Sequence, residues 1–531
     1  MCALTTPYEV VLKHAETIPD QTALTFGDAR WSYADLAEQA GRVAGGLRDI
    51  GLGRGDRLAA LAGNRPEVAV AWLAGSRSGV QPCLLNNRLT APELAPQLAR
   101  LRPRALLVDR ERVPLAIESC ELADLAATLV LIDDVDEHRA IGQWSDLLTS
   151  TMFSGPAPPA DEVFEITFTS GTTSQPKLAA LSHGAEVEHW TAVGRNLGLS
   201  TDDTVAVATP LFHSSGIRNA CFVMWTAGGC AALLEGFSPR SFWRQAVAVG
   251  ATWSCLVETM LSLLLLHSAD IADRSPVLRF VIGGGSLDTI EDFESRTRIR
   301  VLQAYGMTEC GMAAVTRPDL GGQQVAELRG RHPGAVLAGS PTDGTRIRIA
   351  GADGADAAPG TPGELIVQGP GLLAEYADDP AATAAALPNG WLRTGDLGIV
   401  DRDGTVYFID RLRDVIRRGG ENIASKEVEA VLEAHPDVLR SVVYPVPDPI
   451  WVQEVGAVVV PRVPSVRVED LWRWCEQRLA GYKVPRYIDL RLELPTTATG
   501  RVNKAQLRGT PLTSTTRDRR AAPTVPDDAR A

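Results

Sequence analysis

The chain has 531 residues, 45% of them hydrophobic and 22% charged, and its formal net charge at pH 7 is −13. The composition is typical of a folded globular protein, and the length predicts roughly two to four structural units of about 100–200 residues each. The acidic balance argues against nucleic acid and anionic membranes as partners, and no run approaches the ~20 apolar residues of a membrane span.

The predicted elements begin with alternating helices and strands. Residues 33–47 have the apolar spacing of an amphipathic helix, and residues 57–61 predict a short buried strand. After a linker rich in Pro and Ala at residues 151–162, a second alternating stretch covers about residues 180–310. This alternation indicates two α/β subdomains.

The next part of the chain is rich in short β-like runs. Residues 345–349 and 363–368 are examples, and they lie between turns of Gly, Asp and Pro. This pattern predicts a small β-barrel or a twisted sheet over residues 330–410.

A compact α+β domain is expected after Asp410, with a helix near residues 426–434 and a strand near residues 455–460. The polar tail contains Pro and clusters of like charge, which are typical of disorder. We therefore expect an N-terminal domain at residues 1–410, a C-terminal domain at residues 411–509 and a disordered tail at residues 510–531.

The cysteines and the N-terminus indicate the compartment. The eight cysteines form no C-x-x-C pair, and several lie in apolar surroundings as small core residues do. No spacing of Cys and His suits zinc. Residues 1–4 lack the basic and apolar stretches of a signal peptide, so a cytoplasmic location is expected.

A hydroxyl-rich loop at residues 169–177 reads T-S-G-T-T-S-Q-P-K and follows a strand-like run. Gly lets backbone N–H groups approach an anion, hydroxyls donate hydrogen bonds and lysine adds a point charge, which together suit polyphosphate. It is not a Walker A motif, because Pro176 precedes the lysine and Leu178 follows it. Alone, it is also compatible with a polar surface turn. The expected phosphate ligands are Thr169, Ser170, Gly171, Thr172, Thr173 and Lys177.

Five further segments accompany this loop in chain order. They are P-L-F-H at residues 210–213, Y-G-M-T-E at 305–309, W-L-R-T-G-D at 391–396, D-R-L-R-D-V-I at 410–416 with G-G-E-N-I at 419–423, and L-P-T-T-A-T-G-R at 494–501. Together with the loop, they resemble the motifs of the adenylate-forming superfamily, which includes acyl-CoA synthetases, carrier-protein adenylation domains and luciferases. The resemblance covers about residues 5–508 and is strongest to the medium-length acyl-CoA ligases, which include the carnitine-type CoA ligases.

The resemblance implies a fold and a reaction. The fold is α/β, with a large N-terminal region of two α/β subdomains plus a β-barrel and a small mobile α+β C-terminal domain. In the reaction, a carboxylate attacks the α-phosphate of ATP and releases pyrophosphate, and a thiol then displaces AMP. The expected cofactors are ATP, Mg²⁺ and CoA, and the expected partners are a small acid and CoA or another small acceptor.

The resemblance also implies roles at the nucleotide. Thr308 would donate to the α-phosphate, and Glu309 would supply a hard oxygen ligand to Mg²⁺. Asp396 would accept both ribose hydroxyls, because a carboxylate has two acceptor oxygens. Arg411 would hold ribose or phosphate. The adenine ring would lie between Tyr305 on one face and a glycine run on the other, formed by Gly283, Gly284 and Gly285.

Other implied roles concern the acid and the thiol. His213 would be the gate between the acyl site and the pantetheine tunnel, and Arg413 would be the hinge of the C-terminal domain. Gly419 and Gly420 would lie on the thiol-delivery face. The expected pocket walls carry few charges, which favours an apolar or aromatic acid; they are His213, Ile217, Trp253, Gly284 and Ala304.

The C-terminal motif departs from the family pattern. Arg501 stands where the family has a lysine that bridges the carboxylate and the α-phosphate, and Lys504 could replace it only if the loop shifted. In the phosphate loop, Ser174 and Leu178 stand where Gly is common. Three alternatives therefore stay open: an acyl-CoA ligase that uses Arg501, an enzyme that adenylates a small anion such as nitrite to diazotise an aryl amine, and a non-catalytic binding relative.

Overall fold

The computed structural model describes most of the chain. The described residues are 4–133, 142–169, 177–267, 278–285, 287–351, 356–412, 414–418, 421–448, 451–496, 502–509 and 512–520. Among the helices in these ranges, none combines the length and the apolar character that crossing a bilayer requires.

The first part of the chain alternates helices and strands, as predicted. Its helices are α1 (Pro7–Thr17), α2 (Tyr33–Asp49), α3 (Pro66–Ser78), α4 (Ala91–Leu101), α5 (Val113–Leu122) and α6 (Trp144–Thr149). Its strands are β1 (Thr22–Phe26), β2 (Ala29–Ser32), β3 (Arg57–Leu61), β4 (Gln81–Leu84), β5 (Ala105–Val108), β6 (Thr128–Leu131), β7 (Gly142–Gln143) and β8 (Val163–Phe168). Helix α2 begins at a capping box, in which Ser32 and Asp35 each accept the other's backbone N–H.

The second part continues the alternation. Its strands are β9 (Leu178–Ser182), β10 (Thr204–Val207), β11 (Cys230–Leu233), β12 (Trp253–Leu256), β13 (Phe280–Gly283), β14 (Arg300–Met307) and β15 (Gly311–Val315). Its helices are α7 (His183–Asn196), α8 (Ser214–Gly216), the π-helix Ile217–Phe222, α9 (Val223–Thr226), α10 (Phe242–Ala248), α11 (Glu258–His267) and α12 (Leu287–Thr297).

The remaining elements form the β-rich part and the C-terminal domain. The β-rich part contains α13 (Gly322–Gly330), β16 (Val336–Pro341), β17 (Arg346–Ala350), β18 (Gly363–Gln368), β19 (Glu375–Tyr376), α14 (Pro380–Ala386), β20 (Leu392–Val400) and β21 (Val406–Arg411). The C-terminal domain contains β22 (Ile416–Arg418), β23 (Glu421–Ile423), α15 (Ser425–Glu433), β24 (Val438–Asp448), β25 (Val452–Pro461), α16 (Val468–Glu476), β26 (Tyr487–Leu490), α17 (Lys504–Gly509) and β27 (Arg517–Asp518).

Within the described residues, the strands form four sheets. A parallel sheet has the order β4-β3-β5-β6-β7, and a large sheet of 13 strands has the order β17-β18-β20-β21-β16-β15-β14-β13-β12-β10-β11-β1-β2. The third sheet is β19-β9-β8, and the fourth, in the C-terminal domain, is β23-β22-β25-β26-β27 with β24 beside β25.

Strand β14 is where the large sheet changes from parallel to antiparallel pairing. Residues 300–303 pair in parallel with β13, whereas residues 304–307 pair antiparallel with β15. Ligands of open α/β sheets bind outside the carboxyl ends of the parallel strands. The carboxyl ends of β13 and of the parallel half of β14 are therefore suited to a ligand.

The largest core joins the first two parts of the chain. Four tryptophans, Trp72, Trp190, Trp225 and Trp253, are completely buried in it. The C-terminal domain has a core of its own, formed largely by β24, β25, α15 and α16. Separate cores are what two structural units require, and the predicted fold class is confirmed.

The tail differs from the expectation of disorder in part of its length. Residues 512–520 lie on the C-terminal domain, where β27 pairs antiparallel with β26. Arg486 binds Asp518 at 3.1 Å, and Arg519 binds Glu476 at 2.9 Å. The amino-acid composition of the tail does not indicate such contacts, because they depend on charged residues that are distant in sequence. The predicted boundary between the N-terminal and C-terminal domains, after residue 410, also lies inside β21, because this strand extends through Arg411.

Candidate active site

The phosphate loop begins and ends on an antiparallel pair of strands. Phe168 of β8 lies opposite Leu178 of β9, and the backbone N–H of Thr169 donates to the Lys177 carbonyl at 2.9 Å. Thr169 is buried. The predicted ligands Ser170, Gly171, Thr172 and Thr173 lie outside the described residues.

A tyrosine that the sequence did not single out joins the loop to the predicted metal ligand. The Lys177 Nζ atom lies 4.4 Å from the centre of the Tyr376 ring, and the Tyr376 hydroxyl donates to Glu309 Oε1 at 2.9 Å. Burial and the adjacent negative charge of Glu309 raise the pKa of Tyr376, so the hydroxyl remains a donor. Tyr376 thus contacts a cation through its ring and a buried carboxylate through its hydroxyl.

The turn between β14 and β15 carries Thr308 and Glu309. A Cβ atom on Gly306 would lie 2.0 Å from the Gly311 carbonyl oxygen, so only glycine fits there. The Glu309 carbonyl accepts the Leu373 N–H at 2.8 Å, which fixes the far side of the turn. The Glu309 side chain is buried and Thr308 is half-buried.

A second carboxylate lies beside β14. The Tyr305 hydroxyl donates to Asp396 Oδ2 at 2.8 Å, and Arg411 Nε lies 2.8 Å from Asp396 Oδ1. Asp396 and Arg411 are opposite each other in the β20–β21 pair. Asp396 is only 1% exposed, so Arg411 offsets a charge that would otherwise be costly to bury. Burial and Asp396 together raise the pKa of Tyr305.

The three predicted glycines lie at the carboxyl end of β13, where Gly283 is the last residue of the strand. A Cβ atom on Gly283 would lie 2.6 Å from the Leu256 carbonyl oxygen, whereas one on Gly284 would meet no atom within 4 Å. A Cβ atom on Gly285 would lie 3.3 Å from the Glu258 side chain. Gly283 is therefore required by packing, and Gly284 faces open space into which a flat ring could fit.

His213 is the N-cap residue of helix α8, and a buried asparagine of the first subdomain holds the chain just before it. The His213 Nδ1 atom lies 3.1 Å from the Ser215 hydroxyl. Just before it, Leu211 N–H donates to Asn64 Oδ1 at 2.9 Å, and Asn64 Nδ2 donates to the carbonyls of Thr209 and Leu234 at 3.1 and 3.0 Å. A lone Asn after a strand gives no sequence signal of this role.

A buried charged cluster lies between β8, α7 and the π-helix. Arg218 is 1% exposed, and its Nη1 atom lies 3.6 Å from Glu186 Oε1. Burial raises the pKa of Glu165 to about 7, and Arg218 partly counteracts that effect. His189 of α7 accepts the Met312 N–H of β15 at 3.0 Å, and burial lowers the pKa of this histidine to about 3. The cluster therefore connects the strand of the phosphate loop with the helix that follows His213.

Lys504 lies in the C-terminal domain. Its Nζ atom is 2.8 Å from Glu429 Oε1 and 2.5 Å from the Ser425 hydroxyl. Both partners belong to helix α15. Arg501, Arg413, Gly419 and Gly420 lie outside the described residues.

The described residues contain no group of three or more His, Cys, Asp or Glu side chains arranged for a metal ion. Glu309 is one buried, hard oxygen ligand, which suits Mg²⁺ because this ion keeps several waters and substrate phosphates in its coordination shell. The site therefore fits a magnesium ion that arrives with a nucleotide, rather than an ion held by protein alone.

Comparisons with known proteins agree with the motifs. A family model described as AMP-binding enzyme matches residues 11–377, and one described as AMP-binding enzyme C-terminal domain matches residues 427–501. A feruloyl-CoA synthase of an Amycolatopsis species is 34% identical over 502 residues, which are 94% of this chain and 97% of that protein.

Two further comparisons cover nearly the whole chain. A 2-succinylbenzoate–CoA ligase of Bacillus licheniformis is 33% identical over 500 residues, 93% of this chain and 98% of that protein. The crystal structure of ATP-bound MatB from Rhodopseudomonas palustris has a TM-score of 0.85 and 28% identity, covering 95% of this chain and 98% of that one.

Proposed function

Because the chain belongs to the AMP-binding enzyme family, we propose that it is an AMP-forming ligase that activates a carboxylic acid and transfers the acyl group to CoA. Family membership confirms the resemblance to adenylate-forming enzymes. The acyl-CoA ligases among the relatives support a carboxylic acid and CoA, and they do not support nitrite and an aryl amine.

One observation carries the proposal: the end of β14 and the turn that follows it lie beside two buried carboxylates, Asp396 and Glu309. Tyr305 contacts Asp396, whereas Glu309, four residues later, contacts the Tyr376 hydroxyl, whose ring lies against Lys177. Asp396 binds the ribose hydroxyls, and Lys177 and Glu309 serve the phosphates. The separation of these two groups of side chains, at the end of β14 and in the turn after it, orients ATP for attack at its α-phosphate.

In the first step, an oxygen of the acid forms a bond to the α-phosphorus and the bond to the leaving pyrophosphate breaks. Lys177 and Thr169 stabilise the charge on the leaving group, and Thr308 donates to the α-phosphate. Glu309 would hold Mg²⁺, and the bound ion would act as a Lewis acid that offsets phosphate charge. Arg501 supplies the cation between the acid and the α-phosphate.

In the second step, the sulfur of CoA attacks the acyl carbon and AMP leaves with the electrons of the broken carbon–oxygen bond. The thiol loses its proton to solvent or to the departing phosphate. His213 lines the route of the thiol, and its Nδ1 contact with Ser215 orients the imidazole. The small mobile C-terminal domain rotates between the two steps, and Arg413 is the hinge.

The acid is apolar or aromatic. Ile217 and Trp253 are buried at the expected pocket wall, and open space lies at Gly284. The feruloyl-CoA synthase among the relatives takes its name from an aryl acid, which supports the same class. We also propose a cytoplasmic location, where ATP and CoA are supplied.

The test is a pyrophosphate-release screen over aliphatic acids, aryl acids and nitrite, each with and without CoA or an aryl amine. We expect release with aryl or apolar acids, and a thioester product by mass spectrometry when CoA is present. Release with nitrite and an amine alone would contradict the acid assignment. No release with any substrate would contradict the enzymatic function.

A further inference from the structure

A series of buried polar contacts connects the predicted nucleotide-binding residues to α17, the last helix of the C-terminal domain. Arg411 binds Asp396 at 2.8 Å, and the backbone N–H of Arg411 donates to Asp410 Oδ1 at 2.8 Å. Asp410 Oδ2 accepts both the backbone N–H and the hydroxyl of Ser425, each at 2.7 Å. Asp410 and Ser425 are almost completely buried.

Asp410 acts as the cap of helix α15. The residue at the helix N-cap, Ala424, has no side chain that could accept a hydrogen bond, and the N–H groups of a first helical turn need acceptors. The carboxylate of Asp410 at the end of β21 supplies one from another element. Helix α15 is therefore tied to the strand whose next residue, Arg411, pairs with Asp396.

Lys504 extends this run to the last helix of the C-terminal domain. Its Nζ atom contacts the Ser425 hydroxyl and lies 2.8 Å from Glu429 Oε1. Glu429 also accepts the Val443 N–H at 2.9 Å and pairs with Lys426 at 3.0 Å. Burial alone would raise the pKa of Glu429, but Lys504 and Lys426 outweigh burial and lower it.

Lys504 is thus bound by Glu429, and Lys504 in turn offsets the buried negative charge of Glu429. The Glu429 side chain is 5% exposed and the Lys504 side chain 12%. Moving Lys504 to the reacting groups would leave a buried carboxylate with one cation fewer, which is unfavourable. Lys504 also begins α17, three residues after Arg501 in the sequence.

We propose that Lys504 is a positioning residue: it holds helix α17 on helix α15 through Ser425 and Glu429, and α15 is tied to the nucleotide strand by Asp410. The inference rests on the proposed function and assigns Lys504 a role in it. Lys504 does not replace the family lysine as the cation between acid and phosphate. It fixes the chain that follows Arg501.

The test compares Lys504→Met, Lys504→Arg, Glu429→Gln and the double variant Lys504→Met/Glu429→Gln. Adenylation is measured by ATP–pyrophosphate exchange with an acid that the wild type uses. We expect the two single neutral variants to lower kcat about 10–100-fold while KM for ATP changes less than about 3-fold, because misplacement affects the transition state more than ATP binding. The double variant should be no slower than the slower single variant, because both changes break the same contact.

The conservative variant Lys504→Arg keeps a cation for Glu429. Its kcat should therefore stay within about 3-fold of wild type.

A matched control is the lysine that pairs with a different glutamate of the same helix. Lys483 Nζ lies 2.6 Å from Glu427 Oε1, and this pair takes no part in the contacts with Asp410. Lys483→Met should therefore keep wild-type exchange kinetics. Equal loss in Lys483→Met and Lys504→Met would show general destabilisation of the domain and would overturn the proposal.

Two other outcomes would also overturn it. Wild-type kinetics in Lys504→Met would remove the residue from the mechanism, and loss in Lys504→Met with full activity in Glu429→Gln would indicate direct contact with the reacting groups. Amide hydrogen exchange of residues 502–509 tests the contact without any turnover. We expect faster exchange in Lys504→Met and Glu429→Gln but not in Lys483→Met, so a failed positioning role and a failed ligase function are distinguishable.

Discussion

Two buried carboxylates, Asp396 and Glu309, differ in the partner that each faces. Asp396 is paired with the cation of Arg411, which offsets its charge, and accepts the Tyr305 hydroxyl. Glu309 accepts a hydrogen bond from the neutral Tyr376 hydroxyl. A carboxylate whose charge is offset by arginine attracts a metal ion less strongly than one bound to a neutral donor, and its two oxygens can still accept hydroxyl donors. The neighbours therefore support a metal role for Glu309 and a diol role for Asp396.

Replacing Glu309 by glutamine should weaken the dependence on magnesium. Glutamine still accepts the Tyr376 hydroxyl but lacks the charge that binds Mg²⁺, so we expect the half-saturating Mg²⁺ concentration to rise about 10-fold or more. Pyrophosphate release at several Mg²⁺ concentrations measures this, with the exposed Glu327→Gln as the control. An unchanged magnesium profile would exclude Glu309 as a ligand.

Arg501 should tolerate lysine but not alanine. Arginine and lysine both supply a cation on a long side chain, although the planar guanidinium of arginine and the compact ammonium of lysine differ in reach. We expect Arg501→Lys to keep or raise the adenylation rate and Arg501→Ala to lower it about 100-fold, as the loss of a charged transition-state contact does. Pyrophosphate release at saturating substrate is the measurement, and full activity in Arg501→Ala would remove the residue from the reaction.

At the scale of elements, the buried cluster around Arg218 joins strand β8, helix α7 and the π-helix. Strand β8 leads into the phosphate loop, and the π-helix follows His213. Arg218 on the π-helix faces Glu186 of α7, and the pKa of Glu165 on β8 responds to its charge. π-Helical turns often occur at functional sites because they redirect side chains within a helix. Here the π-helix carries a charged residue, Arg218, that is almost completely buried.

The raised pKa of Glu165 predicts a pH dependence of stability. Burial raises this pKa to about 7, so the folded protein holds the proton more tightly than the unfolded chain does. The protonated Glu165 therefore stabilises the folded protein at low pH, and this contribution is lost as the pH rises through about 7. The Glu165→Gln variant has no carboxyl group that ionises, so it does not lose this stability. Its free energy of unfolding, relative to that of wild type, should therefore increase by about 1–2 kcal/mol as the pH is raised from 5.5 to 8. Urea denaturation at both pH values measures the difference, and a difference that is constant with pH would contradict the assignment.

At the scale of the whole molecule, the end of the chain completes the C-terminal domain. Glu454 is 1% exposed, and Arg418 and Arg520 each bind it at 2.6 Å. Arg520 belongs to the segment that β27 attaches to β26. Residues distant in sequence therefore share one buried carboxylate, and the domain depends on a tail whose composition indicates disorder.

Ending the chain after residue 511 should destabilise the C-terminal domain. The truncation removes β27 and the Arg520 partner of Glu454, and loss of a partner of a buried charge costs about 1–3 kcal/mol. We expect faster proteolysis of the domain and a lower thermal midpoint. Ending the chain after Arg520 is the matched control, and equal stability of the two truncated chains would contradict the role of residues 512–520.

Local patterns in the sequence determined the fold class and the nucleotide motifs. The helix spacing of residues 33–47 corresponds to α2, and glycine at 283 and 306 reflects close backbone contacts that only glycine permits. Such features depend on neighbours within a few residues, so periodicity and residue type reveal them. The family membership that the ordered motifs predicted is confirmed, whereas the roles of single site residues stay predictions.

Only the tertiary structure decided which distant residues support the site. Tyr376 reaches Glu309 because the two-residue strand β19 pairs with β9, and Asn64 holds the loop before His213 across a subdomain boundary. Lys504 is bound to Glu429, although its place near Arg501 in sequence had made it a candidate cation. None of these residues has a local pattern that distinguishes it. Their roles depend on burial and on contacts between separate elements, which exist only once the chain has folded.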